Sequence, residues 1–271
     1  MKISSQLLAF FLFASSFAMA QEERPRLLIE TNYGNMTIEL YNETPQHRDN
    51  FLKLANEGFY NGTTFHRVIQ DFMIQGGDPN SKNPEATNLG NGGPGYTIEA
   101  EIRPELYHKK GALSAARQGD QTNPERRSSG SQFYIVQGKP NNEQMLTQME
   151  MRCNQAMMQD IQRVFFTSEE NKEYLERLQT CQTNKDQEGL KTLSEEVQPL
   201  LEARMEEKTF SYTHEQKDVY GTLGGTPFLD QQYTVFGEVV EGLEVIDKIA
   251  AVEKDGERPK EAVKMKIKVL K

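Results

Sequence analysis

Phe65-His66-Arg67-Val68-Ile69-Gln70-Asp71-Phe72-Met73-Ile74-Gln75-Gly76-Gly77-Asp78-Pro79 is the most informative run in the chain. It reads as two short strands, one presenting Arg67 and the other Phe72, Met73 and Gln75. A cation and an amide beside aromatic and thioether groups would suit a peptide with one hydrophobic side chain. On residue types alone, a purely structural strand pair stands beside that groove reading. No nucleophile–base pair, metal-ligand spacing or phosphate-binding GK[ST] accompanies the run.

The flanking sequence has the same texture from Arg26 to about Pro140. Leu28, Glu30 and Asn32 alternate with Leu27, Ile29 and Thr31, and Tyr33-Gly34-Asn35 turns the chain into the period-2 run Met36–Leu40, which predicts a hairpin. A helix follows, with Thr44 as cap, Pro45 at its first position, Phe51, Leu54 and Ala55 on one face, and Gly58 as its stop. Further strands are predicted near Tyr96–Ala100, Ala112–Ala116 and Gln132–Gln137. After Thr226 the pattern resumes with Thr234–Val240, a helix over Leu243–Ala250, and Val263–Leu270, where Lys264, Lys266 and Lys268 share a face. Gly90, Gly92, Gly93 and Gly95 precede no helix and read as a loop. Many short strands and few helices predict a mainly antiparallel barrel or sandwich.

Residues 141–226 differ. Leu146, Met149, Cys153, Met157, Ile161, Val164 and Phe165 follow helical spacing. Ser168 opens a second helix with Tyr174, Leu175, Leu178 and Cys181, and a third carries Leu190, Leu193, Val197, Leu201 and Met205. Thr213-His214-Glu215-Gln216 has the form of a capping box. The segment holds nine basic and sixteen acidic residues, so most of the chain's formal charge of −9 sits there. Its apolar stripes serve a self-packed bundle; its methionines would equally suit promiscuous apolar contacts with unfolded clients. Cys153 and Cys181 fall on successive predicted helices, where a disulfide is an expectation for an exported protein.

Export is the expectation from residues 1–20, where Lys2, an apolar run over Leu7–Phe17 and Ala18-Met19-Ala20 have the form of a cleavable signal peptide. The expected location is periplasmic or secreted. The 271 residues include 36% hydrophobic residues, two cysteines, four histidines and no tryptophan, with a mean hydropathy of −0.71. These values argue against a polytopic membrane protein and stable membrane insertion, a disulfide framework and a four-thiolate zinc site. The acidic balance argues against nucleic-acid binding. His66 is expected to be structural, and His47, His108 and His214 to be surface or cap residues.

The FHRVIQDFMIQGGDP run, Gly130-Ser131-Gln132-Phe133-Tyr134-Ile135, and Leu229-Asp230 followed by Tyr233-Thr234-Val235-Phe236-Gly237 together resemble the cyclophilin family of peptidyl-prolyl cis–trans isomerases. The resemblance covers residues 26–140 and 227–271 in the family's order. It implies a closed eight-stranded antiparallel barrel with two capping helices, Pro45–Glu57 and Leu243–Ala250. The barrel would be built from 21–140 and 227–271, with 141–226 as an inserted all-α subdomain. It also implies Arg67 as the catalytic arginine and Phe72, Met73, Tyr134 and Leu229 as the proline pocket. Gln75, Ala116, Arg117, Gln132, Phe228 and Tyr233 would line the peptide groove, with no metal and no cofactor. Arg117, Tyr134, Phe228 and Tyr233 depart from residues common in the family, and the last two weigh against tight cyclosporin binding. The implied partners are proline-containing peptides and unfolded exported proteins. A non-catalytic peptide-binding or holdase module is the rival reading.

Overall fold

The computed structural model describes residues 23–206 and 208–270; the expected signal peptide lies outside the described residues. The predicted hairpin forms as β1 (Arg26–Thr31) and β2 (Gly34–Leu40), with Leu27 opposite Ile38 and Ile29 opposite Met36. α1 (Pro45–Asn56) follows, then β3 (Arg67–Ile69), β4 (Met73–Gly76), β5 (Thr97–Ile98), β6 (Ala112–Arg117) and β7 (Ser128–Val136). Residues 143–222 contain α2 (Glu143–Thr167), α3 (Lys172–Asn184), α4 (Gln187–Glu206) and α5 (His214–Thr222). β8 (Val235–Glu241), α6 (Leu243–Ala250), the short pair β9 (Lys254–Asp255) and β10 (Arg258–Pro259), and β11 (Met265–Val269) complete the chain.

Among the described residues, nine strands form one curled antiparallel sheet, in the order β11-β1-β2-β8-β6-β7-β4-β3 with β5 beside β7. The expectation of a closed eight-stranded barrel is not met by a continuous ladder. The end strands β3 and β11 share no register, and an isolated bridge between Thr64 and Lys264 spans the gap. The reason is local: the backbone at Thr63 and Phe65 bonds to Met265 and Val263 just before β3 begins.

The period-2 pattern divides β4 and β7 between two cores. Ile74, Phe133 and Ile135 point into the main core with Leu27, Ile38, Phe51, Leu113 and Val263. Met73, Tyr134 and Val136 point to the opposite face, into a second cluster with Tyr41, Leu229 and Val235. α1 and α6 press Phe51, Leu54, Val245 and Ile249 onto the main core. Phe133 meets Phe51, Tyr60 and Phe65 edge-on at 5.4, 5.8 and 6.1 Å, so truncating it would cost about 3–5 kcal/mol.

Two local expectations are corrected. Thr44 makes no side-chain cap; Glu101 instead reaches across to accept from the backbone N–H groups of Gln46 and His47 at 3.2 and 3.0 Å. Its Oε2 also lies 2.6 Å from His47 Nδ1, so His47 is buried rather than a surface residue. The capping box at Thr213 and Gln216 forms as read.

Cys153 and Cys181 do not meet, and both are free. Cys153 is buried with Leu146, Tyr212 and Tyr220, its sulfur 3.7 Å from the Asp230 carbonyl oxygen. Cys181 is on α3 and lines a cleft facing α4, with Arg177, Asp186 and Gly189. The helix faces that carry them pack against different neighbours.

Candidate active site

Strand register assembles the site. Arg67 on β3 stands opposite Gln75 on β4, and Gln75 stands opposite Tyr134 on β7. The three side chains therefore form one row across the outer face, with Met73 and Gln132 two residues along their strands. Arg67 Nη1 donates to Gln75 Oε1 at 3.3 Å, Gln75 Nε2 to Gln132 Oε1 at 3.1 Å, and Gln132 Nε2 to the Gly92 carbonyl at 2.7 Å. The hairpin that makes the row turns through Asp71 at φ +60°, its N–H bonded to Gln137 Oε1 at 2.7 Å.

Beside the row is a cleft of about 300 Å³ lined by Arg67, Phe72, Met73, Ala116, Leu229 and Tyr233, with Gln75, Arg117 and Tyr134 completing the expected set there. Strict alternation would send Ala116 and Arg117 to opposite faces. A register shift between Ala115 and Arg117 relative to β7 puts both on the cleft. Two expected residues sit apart. Gln132 lines an adjoining 780 Å³ cavity, and Phe228, 46% exposed, packs on Phe72 with ring centroids 5.4 Å apart.

Arg117 is committed to the protein. Its Nε donates to the Gln232 carbonyl at 3.0 Å, its Nη1 to Asp120 Oδ1 at 2.5 Å, and its guanidinium covers the Tyr233 ring at 4.5 Å. It props the rim. Arg67 is 40% exposed, with Glu257 Oε2 on its Nε at 2.5 Å.

Leu89, Gly90, Asn91 and Gln118 also line the cleft, and the sequence reading missed them. The signal lay in Asp78 of the GGDP run. Asp78 accepts from Gly90 N at 2.5 Å, Gly92 N at 3.2 Å and Asn80 N at 2.8 Å, pinning the glycine loop over the groove. A Cβ on Gly92 would stand 2.1 Å from Asp78 Oδ1, so the approach needs glycine.

Tyr134 and Leu229 are buried behind the cleft. Burial holds the Tyr134 phenol protonated, far above its ordinary pKa. His108, expected at the surface, is fully buried with Nε2 3.0 Å from the Tyr134 hydroxyl. His66 is buried beside Arg67, and burial lowers its pKa. Among the described residues no cluster of side chains suits a metal ion, and no helix is long and apolar enough to cross a membrane.

The family described as "Cyclophilin type peptidyl-prolyl cis-trans isomerase/CLD" matches residues 26–197 and 210–269, running into the helical segment. A Staphylococcus epidermidis protein named as a peptidyl-prolyl cis-trans isomerase is 33% identical over 234 residues, spanning 85% of this chain and 83% of its own. A Streptococcus pyogenes protein named as a bifunctional phosphatase/peptidyl-prolyl cis-trans isomerase is 35% identical over 246 residues, 88% of this chain and 37% of its own. A crystal structure of a Cryptosporidium parvum cyclophilin shares the fold at TM-score 0.53 and 22% identity, covering 92% of this chain and 98% of that one. The same protein was also solved in the presence of the dipeptide Ala-Pro. With its cation–amide row, the cleft beside it and these relatives, the chain belongs to the cyclophilin-type peptidyl-prolyl cis–trans isomerase family.

Proposed function

We propose that Arg67 accelerates X–Pro isomerisation by stabilising the twisted prolyl amide, and that the substrates are exported proteins during folding. The observation that carries this reading is the Arg67–Gln75–Gln132 hydrogen-bonded row flanking a cleft walled on one side by Phe72, Met73 and Leu229. Amide resonance sets a barrier of about 18–20 kcal/mol to rotation. A donor aimed at the prolyl nitrogen favours the pyramidal, single-bonded form, and a guanidinium keeps its charge at any physiological pH. Phe72, Met73, Tyr134 and Leu229 hold the ring while the two glutamines orient the backbone. The twisted state is bound better than either planar state, and no covalent intermediate is needed.

The demand is modest. Uncatalysed isomerisation takes about 10–100 s. A turnover of about 10 s⁻¹ requires roughly a hundred- to thousandfold acceleration, or about 3–4 kcal/mol. One charge-assisted hydrogen bond with positioning supplies that much.

The proposal extends to the whole chain. Residues 1–20 support export, the Thr64–Lys264 bridge supports reading the curled sheet as a closed barrel, and the strand-free stretch 143–222 supports a helical insertion. Exchange NMR on an Ala-Pro peptide tests the chemistry. Arg67→Ala should lose most turnover while keeping its circular dichroism and melting temperature. Near-wild-type turnover would overturn the role of Arg67.

A further inference from the structure

Asp230 follows Leu229 of the pocket wall and is 1% exposed. Its two carboxylate oxygens serve two parts of the molecule. Oδ1 accepts from the His108 backbone N–H at 2.9 Å and faces His108 Nδ1 at 2.7 Å. Oδ2 accepts from the hydroxyls of Tyr212 and Tyr220 at 2.7 and 2.6 Å. Tyr212 lies in the link before α5, and Tyr220 lies on α5 itself. Burial keeps both phenols protonated, so both are donors.

Order follows from this. A carboxylate can only accept, so the short contact places the imidazole proton on Nδ1. In the neutral imidazole Nε2 is then an acceptor, and the Tyr134 hydroxyl, 3.0 Å away, donates to it. The Tyr134 ring lies parallel to the imidazole at 6.0 Å and edge-on to Tyr233 at 5.9 Å. A continuous buried chain thus runs from Tyr212 and Tyr220 through Asp230 and His108 to the pocket wall. The hydroxyl of Tyr134 is the link; a phenylalanine ring would fill the same space and break it.

We infer that Asp230 and His108 are positioning residues for the prolyl pocket, and that the helical segment sets them through the Tyr212 and Tyr220 hydroxyls. The inference rests on the isomerase reading of the cleft and adds to it a dependence on residues that touch no substrate.

The test is a mutant cycle on the full chain, with an Ala-Pro peptide as substrate. The Tyr212→Phe/Tyr220→Phe pair removes only two oxygen atoms away from the cleft. It should raise KM about 3- to 10-fold with kcat within about twofold, the pattern of lost uniform binding. In a Tyr134→Phe background the same pair should change KM by less than about twofold, because the chain is already cut. An unchanged KM in the folded pair variant, or an equal rise in both backgrounds, would overturn the inference. Should the pair fail to fold, Tyr220→Phe alone is judged by the same criteria.

The ¹³C-methyl resonance of Met73, which packs with Tyr134, gives a readout independent of turnover. It should shift in the pair variant and stay in place when the pair is added to Tyr134→Phe; no shift in either background overturns the link. An inactive wild type with a shifting Met73 would sink the isomerase reading and leave the link standing.

Discussion

Glu257 holds the Nε–Nη2 edge of the Arg67 guanidinium, accepting from Nε at 2.5 Å and facing Nη2 at 3.5 Å. Glu257 lies between β9 and β10, a two-strand excursion whose backbone also accepts from Val68 N at 2.7 Å. The pair is solvent-facing, with side chains 40% and 53% exposed, so its worth to stability is small. Its effect should fall on orientation.

Replacing Glu257 by Gln should therefore leave the melting temperature nearly unchanged. The same change should lower kcat about 3- to 10-fold, the loss expected when a donor is less well aimed. Steady-state exchange NMR on a prolyl peptide separates the two effects. An unaltered kcat would show that Arg67 needs no carboxylate to aim it.

Gly77 has φ +84°, and a Cβ there would stand 2.3 Å from the Ser131 carbonyl oxygen. Gly62 has nearly the same φ, +83°, with nothing within 4 Å. Left-handed backbone costs an ordinary residue about 1–2 kcal/mol, and both alanine variants incur it. Only Gly77→Ala adds the clash with backbone. Calorimetry should show Gly77→Ala melting at least about 5 °C below Gly62→Ala; equal melting temperatures would mean the β7 strand gives way freely.

The two cysteines should give the same intact mass with and without reductant, since the fold keeps them apart. Burial pushes the Cys153 thiol up to about 11, which keeps it protonated and slow to alkylate. Cys181 is only partly buried, so iodoacetamide on the native protein should label it first. Equal labelling of Cys153 under native conditions would contradict its packing under Asp230.

His66 supplies a pH signature. Its folded pKa lies below the unfolded value of about 6.5, chiefly because burial disfavours the imidazolium. As pH falls below about 6.5, the unfolded chain takes up the proton before the folded one, so stability decreases through that window. It levels off once the pH is below the folded pKa. Urea denaturation of wild type and His66→Gln should show a shallower acid slope for the variant. Identical slopes would show that folding leaves the proton affinity of His66 unchanged.

Much of the frame was legible in the residues, because period-2 alternation is a direct image of a sheet with two different faces. The β1–β2 hairpin and the lysine face of β11 follow from it, while α1 and α6 follow from helical spacing and, for α1, from Pro45 at its first position. The row Arg67–Gln75–Tyr134 follows once β3, β4 and β7 pair in register. What escaped was set by partners distant in sequence. Ser128–Gly130 has the composition of a loop, yet pairing with Thr97 and Ile98 draws it into β7. Glu101 caps α1 from outside the helix, and Asp78 folds Gly90 and Gly92 over the cleft. His108 was unreadable as a buried residue because nothing nearby in the chain announces Asp230. A missing disulfide follows equally from packing, since helical spacing says which face a cysteine takes but not what that face meets.

The order of the strands also governs when the protein can finish folding. β8 lies between β2 and β6, both far upstream, while α2 through α5 come between β7 and β8 in the chain. During synthesis from the N-terminus, β2 and β6 expose unpaired edges until the whole helical stretch has emerged and β8 arrives to bridge them. Pairings this remote form slowly, because the loop must close before its contacts repay the lost entropy. The family's own catalytic class acts on slow folding steps, and this chain carries one in its topology.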